Sequence, residues 1–293
     1  MALYDIKHRT DYDYTLPVTV SHHSAHIRPL SNSFQTCRTF KLTVEPEPQD
    51  IQVREDYYDN ITHMFSIEQH HQSLVVETLS QVEVTSTAPD LSPVTMTCAE
   101  ARALLATPSD PDMIMASEFL YPTDITPDSP ELHAFGKATL ADDKPISQAV
   151  MDFLDVFKDK FEFDPTATEV STPIAEVLKS RRGVCQDFAH LMIAAFRSCG
   201  IYAKYVSGYI LSHPPAGMPR LEGADASHAW VSVFIPTLGW VEIDPTNRLI
   251  VGNEHVRVAY GRDYTEVSML NGAVHGGGTH TINVAVTVLP VEI

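Results

Sequence analysis

Basic residues and cysteines are both scarce in this chain. Of its 293 residues only 20 are Lys or Arg, against 38 Asp or Glu, a formal net charge of −18. Binding nucleic-acid phosphates or an anionic membrane requires clustered cations. This balance therefore argues against both partners, while neutral or cationic substrates remain open. The four cysteines, Cys37, Cys98, Cys185 and Cys199, are widely spaced and form no C-x-x-C pair. That is too sparse for a disulfide scaffold or a thiolate zinc site. No apolar run approaches the roughly 20 residues that span a bilayer. The N-terminus, MALYDIKHRTDYDY, carries charge by its fifth residue and lacks the apolar core of a signal peptide. These absences predict a cytoplasmic protein with free thiols and no membrane or nucleic-acid partner. What remains is ordinary globular material, 44% hydrophobic and long enough for one large domain or two smaller ones.

Up to about residue 88 the chain reads as β structure. Runs rich in Val, Ile, Thr, Tyr and Phe recur between turn clusters: LYDIKHRTDYDY, TVSHHSAHIRPL, RTFKLTVEP, NITHMFSIEQ and SLVVETLSQVEVTS. No helix-length segment separates them, so antiparallel pairing is expected. The histidines here (His22, His23, His26, His63, His70 and His71) raise the question of a metal. No carboxylate or thiol completes a set at recognisable spacing, so they are read as polar strand-face or edge residues. Neither a metal site nor a cofactor is expected.

A connector rich in Pro, Ser and Thr, from Thr85 to Thr97, makes the best domain boundary. It divides the chain into an N-terminal β domain, 1–88, and a second domain, 97–293. Thr97-x-x-Glu100 is a capping box opening a short helix. From Thr107 to Pro130 the sequence is rich in Pro and Asp and is expected to be irregular, apart from an apolar run at Phe119–Tyr121. Helices are expected to begin at Pro130, at Pro145, and after Thr172-Pro173.

The second domain is organised around Ser180–Gly200. Phe188, Leu191, Met192 and Ala195 fall at helical spacing, and Gly200 stands where a C-terminal cap belongs. Cys185 then lies at the helix N-terminus, where unpaired N–H groups and the helix dipole favour a thiolate. Those N–H groups could also receive the oxyanion of an acyl-transfer intermediate. Cys185 and Cys199, at opposite ends of a helix rising about 1.5 Å per residue, would lie roughly 20 Å apart and unlinked.

A cysteine can equally be a small core residue; what weighs against that here lies downstream. Two strand-like runs, HAWVSVFI and GWVEIDP, are joined through Pro236–Gly239. His228, Trp230, Ser232 and Phe234 share one face of the first. Trp240, Glu242 and Asp244 share one face of the second. Pairing Phe234 with Trp240 makes His228 the diagonal neighbour of Asp244, close enough for a hydrogen bond. Shifting by one residue would put the two on opposite faces. Cys185 as nucleophile, His228 as base and Asp244 as orienting acid would divide the labour of a cysteine acyl-transfer site.

These segments, GVCQDFA, SHAWV and DPTN, closely resemble the transglutaminase-like family of papain-type cysteine enzymes in its bacterial branch. HRTDYDY, HIRPL and YYDNITHMFSIE look like the β domain that precedes such cores, and the C-terminal strands look like that branch's closing strands. The resemblance implies an α+β fold: an N-terminal antiparallel β domain, then a core whose catalytic cysteine opens a helix packed on an antiparallel sheet. It also implies the roles of Cys185, His228 and Asp244. The expected activity is that of a cysteine hydrolase (protease or amidase) cleaving peptide or isopeptide amide bonds in a peptide or protein substrate. The alternatives are a transglutaminase that passes the acyl group to an amine, with Trp230 and Trp240 as possible walls of an amine channel, and a non-catalytic binding module.

Overall fold

The computed structural model describes residues 1–169, 171–213 and 227–292. The first two β runs form one long strand, β1 (Ala2–Ala25), with Tyr4, Ile6, His8 and Thr10 buried at alternate positions. Around Pro17, which lacks a backbone donor, the ladder is irregular between Asp13 and Val18 and the strand changes partners. Next come β2 (Gln35–Glu45), β3 (Ile51–Glu55), β4 (Ile61–Ile67) and β5 (His71–Val84). They are ordered β2-β5-β1-β4-β3, all antiparallel as expected. β3 had no counterpart among the expected runs: at five residues, with only Ile51 and Val53 apolar and nearly all of it exposed, its alternation is too short to stand out. The histidines of this sheet find local partners: His22 with Ser66 Oγ at 2.7 Å, His23 with Ser21 Oγ at 2.9 Å, and His26 with Thr62 Oγ1 at 3.0 Å.

The helical layer begins with α1 (Cys98–Ala106), where Thr97 and Glu100 cap each other reciprocally. The stretch expected to be irregular contains α2 (Pro111–Ala116) and a 3-10 turn, Ser117–Leu120. Asp110 caps α2 by accepting from the Met113 N–H, and Pro111 fits its first position, where no donor is needed. The other helices are α3 (Pro130–Lys137), α4 (Ile146–Lys160, one residue after the expected start) and α5 (Ile174–Ser180). Two dipeptide strands, β6 (Glu162–Phe163) and β7 (Arg182–Gly183), pair in parallel on either side of α5.

The chain then enters α6 (Cys185–Ser198), whose residues from Asp187 to Arg197 are all buried. Gly200 ends it at φ +78°, and Ile201 donates back to the Phe196 carbonyl, a geometry that favours glycine. Beyond it run β8 (Ala203–Ile210), β9 (Ser227–Ile235), β10 (Gly239–Asp244), β11 (Leu249–Ile250) and β12 (His255–Gly261). These make an antiparallel sheet ordered β11-β10-β9-β8-β12. Leu191 and Ala195 of α6 share a core with Ala229, Val231 and Val233 of β9. Leu191, Val231 and Val233, each fully buried, contribute roughly 1.5–3 kcal/mol apiece. Among the described residues no helix is long and apolar enough to cross a membrane.

The last two strands go elsewhere. β13 (Asn271–Gly276) and β14 (His280–Val291) both pair with β1, β14 running from Leu3↔Val291 to Tyr14↔His280. The expected division assigned everything after residue 97 to one domain, but residues 271–291 complete the N-terminal sheet. Val286 and Val288 lie in one core with Tyr4 and Ile6, and with Tyr209, Val256 and Val258 of the second sheet. Because β14 seals this core, Val288→Asp should cost about 3 kcal/mol or more. Urea denaturation should show the loss, and hydrogen exchange should show faster exchange in Leu3–Tyr14. Unchanged protection there would contradict the closing role of β14.

Candidate active site

Cys185 is the first residue of α6, and the N–H groups of a first helical turn have no intrahelical acceptor. The turn is held by Asp187, which accepts from the Val184 N–H at 2.8 Å and the Thr168 hydroxyl at 2.6 Å. All four cysteines are free. Burial raises the thiol pKa of Cys37, Cys98 and Cys199. Cys185 is half-buried and opens onto a cavity of about 300 Å³ that it shares with His228.

The hairpin adopts the register that the catalytic reading requires. Trp240 pairs with Phe234 and Glu242 with Ser232. Ile235 and Gly239 also pair, so the connection tightens to Pro236–Leu238. That register brings His228 Nε2 to 2.7 Å from Asp244 Oδ2. Asp244 is wholly buried, and its two oxygens divide their duties. Oδ1 accepts from the backbone N–H groups of Thr246 and Asn247, at 2.9 and 3.0 Å, closing the turn over Pro245. Oδ2 accepts from His228, from Asn247 Nδ2 at 2.8 Å and from His255 Nε2 at 3.0 Å. Asp244 is thus both a turn residue and a partner of His228.

An ionised carboxylate only accepts, so both histidines present Nε2–H to it. This assigns the Nε2 proton of His228 to the carboxylate and leaves Nδ1 as the ring's other nitrogen. Burial alone would hold His228 neutral. The Asp244 charge and hydrogen bond, with a hydrogen bond and charge from Cys185, outweigh it and raise its pKa. Burial likewise pushes the Asp244 carboxyl up, but the His228 charge and the bonds from both histidines bring it well below the usual carboxylate range.

Sequence reasoning missed His255, Asn247 and the groups around them. Asn247 had a local signal, an amide three residues after an Asp-Pro turn. His255 had none, because β12 pairs with β8 at the far edge of the sheet. Trp230, a candidate channel wall, is closed off from solvent. Its ring lies 6.0 Å from that of His228, and its Nε1 donates to Glu242 Oε2 at 2.8 Å. Gly208 makes room for it, since a Cβ there would come within 2.5 Å of the indole and 2.1 Å of the Val256 carbonyl. Trp240 packs on Phe119 and Phe234 beside a separate cavity. Glu242 is also paired with Arg257 at 3.0 Å and accepts from Tyr260.

His228, Asp244 and His255 offer three potential metal-ligand atoms within 4.8 Å of one another. Both histidine Nε2 atoms are already spent on Asp244 Oδ2, so the group reads as a hydrogen-bonded set.

Raised His228 and lowered Asp244 set the sign of the pH dependence. The contribution of His228 is complete below its ordinary value near 6.5 and fades as pH rises through its folded-state value of about 10. That of Asp244 is present above about 4 and is lost on acidification. In Asp244→Asn the His228 ring should titrate at least about one unit below the parent, followed by NMR of its C2 proton. Coincident curves would contradict the pairing.

The geometry can be set beside known proteins. Residues 4–83 match the model of the bacterial transglutaminase-like N-terminal region, and residues 134–245 that of the transglutaminase-like superfamily. An uncharacterized protein of Mycobacterium tuberculosis is 34% identical over 300 residues, covering 99% of this chain and 93% of its own. A protein-glutamine gamma-glutamyltransferase of Pseudomonas aeruginosa is 33% identical over 87 residues, 29% of this chain and 13% of that one. A solved structure from Cytophaga hutchinsonii, described as a candidate cysteine protease, superposes with a TM-score of 0.81 at 20% identity. It covers 100% of this chain and 91% of that one, a likeness of fold.

Proposed function

Since the chain belongs to the transglutaminase-like superfamily, with its papain-like cysteine enzyme fold, we propose that it is a cysteine hydrolase cleaving peptide or isopeptide amide bonds through a thioester. The observation that carries this reading is the His228 imidazole, held by Asp244 through Nε2 and lining one cavity with the Cys185 thiol at the start of α6. The Cys185 sulfur attacks the amide carbon with its proton already held by the His228 ring. The resulting oxyanion is received by the free N–H groups at the start of α6. Gln186 and Tyr205 are among the side-chain donors that line the same cavity. Burial, and then the Cys185 charge, raise the Tyr205 pKa, so its phenol stays a donor. Collapse of the intermediate expels the amine, which takes the proton from His228 and leaves a thioester. Water, deprotonated by His228, then releases the acid and regenerates the thiol.

Amine transfer is the second reading, favoured by the short match to a gamma-glutamyltransferase. It needs a shielded path for the amine. Trp230, one of two residues that could have walled such a path, is sealed in the core, which favours water as the acceptor.

Alkylation by iodoacetamide across pH tests the chemistry. Cys185 should react well below pH 8, ahead of Cys37, Cys98 and Cys199, and His228→Ala should slow it by about 10²-fold or more. Slow, ordinary thiol behaviour in both proteins would reduce the likeness to fold alone. Products then separate the two enzymatic readings: cleaved chains or released ammonia and acid for hydrolysis, amine-labelled protein for transfer.

A further inference from the structure

One wall of the cavity that Cys185 lines does not come from the core that carries the nucleophile. It comes from the N-terminal sheet. β1 and β14 pair with Tyr12 opposite Ile282, Thr10 opposite Val284 and His8 opposite Val286. Strand alternation places these side chains on one face, and Tyr12, Ile282 and Val284 line the same cavity as Cys185 and His228. We propose that this face is the subsite for the residue beside the scissile amide, and that it selects an uncharged, apolar side chain.

Three observations support this, given the hydrolase reading on which it rests. The row that carries the wall begins in the core, with Val288 and Val286 fully buried, and emerges at the cavity, where Val284 and Ile282 are 48% and 52% exposed. Large apolar side chains left bare beside a nucleophile are the places where a ligand gains most by covering them. Second, among the described residues lining the cavity none is Asp, Glu, Lys or Arg, although a fifth of the whole chain (20%) is charged. Burial keeps the wall neutral as well, holding His8 at about 4 and Tyr12 at about 12. A charged substrate side chain would meet no Asp, Glu, Lys or Arg among the described residues of this wall and would lose its hydration. Third, the volume of about 300 Å³ is at the low end for ligand pockets. It suits a short extended stretch of chain, with Met269 as an adaptable side wall.

The test uses peptidyl vinyl sulfones that differ in one residue, Leu or Phe against Asp or Lys. Labelling of Cys185 is read by mass spectrometry, and each rate is divided by the iodoacetamide rate of the same variant. The parent should take the apolar probes about tenfold faster or more. Ile282→Asp and Val284→Asp should collapse that ratio and raise the relative rate of the Lys probe, while Ile282→Leu keeps the parent ratio. Both positions are about half exposed, and unfolding temperatures check that the variants are folded. No preference in the parent, or an unchanged preference in the Asp variants, would overturn the subsite. If iodoacetamide instead shows no His228-dependent activation, the hydrolase reading fails separately. Calorimetry of Leu- and Asp-bearing peptide amides on Cys185→Ala then decides the subsite alone: tighter Leu binding sustains it, and equal binding overturns it.

Discussion

A carboxylate with no exposure to water organises this molecule. Burying an unpaired anion is prohibitively costly, so Asp244 can stay ionised only where donors converge on it. They come from every direction: the turn that follows it supplies two backbone N–H groups and the Asn247 amide, β9 supplies His228, and β12 supplies His255. Each donor constrains an element. The hairpin must hold its register, the turn must close over Pro245, and β12 must start level with the end of β8. His228 is oriented as a consequence of satisfying the anion.

A second buried ion pair, Glu242 with Arg257, ties the site to the rest of the chain. Arg257 also donates to the Ser86 hydroxyl at the end of the first domain, and its backbone bonds in both directions with the Gln35 side chain on β2. Such a pair is not strong evidence for stability, since its desolvation offsets much of its attraction. Its evident effect is positional: Glu242 holds the Trp230 indole against the His228 and His255 rings. The N-terminal sheet therefore belongs to the site twice, through this network and as one wall of the cavity that Cys185 lines.

What the sequence disclosed was what short-range pattern controls. The cysteine helix followed from apolar spacing between Cys185 and Gly200 and α1 from its capping box, while alternation left two hairpin registers open and only the pairing of His228 with Asp244 selected one. The misses are non-local or lie beneath pattern. Two apolar runs became one strand because Pro17 was absorbed as an irregularity rather than ending it. The helix at Pro111 hid in an Asp-Pro-rich stretch, where its own cap, Asp110, looked like loop chemistry. The partner of β14 lies at the opposite end of the chain, as Leu3 pairs with Val291, and no local pattern encodes such a pairing. His255 was invisible for the same reason. Cys185, His228 and Asp244 were legible because each sits at a local signal: a helix start, a strand face and a turn.

The most direct measurement is a search for the acyl-enzyme itself. The protein would be mixed with a peptidyl p-nitrophenyl ester, quenched in acid and analysed by peptide mass spectrometry. A thioester mechanism at this site predicts a hydroxylamine-sensitive acyl adduct on the peptide containing Cys185, absent in Cys185→Ala and formed more slowly in Asp244→Asn. Acylation spread over Cys37 and lysines, with none enriched at Cys185, would contradict it.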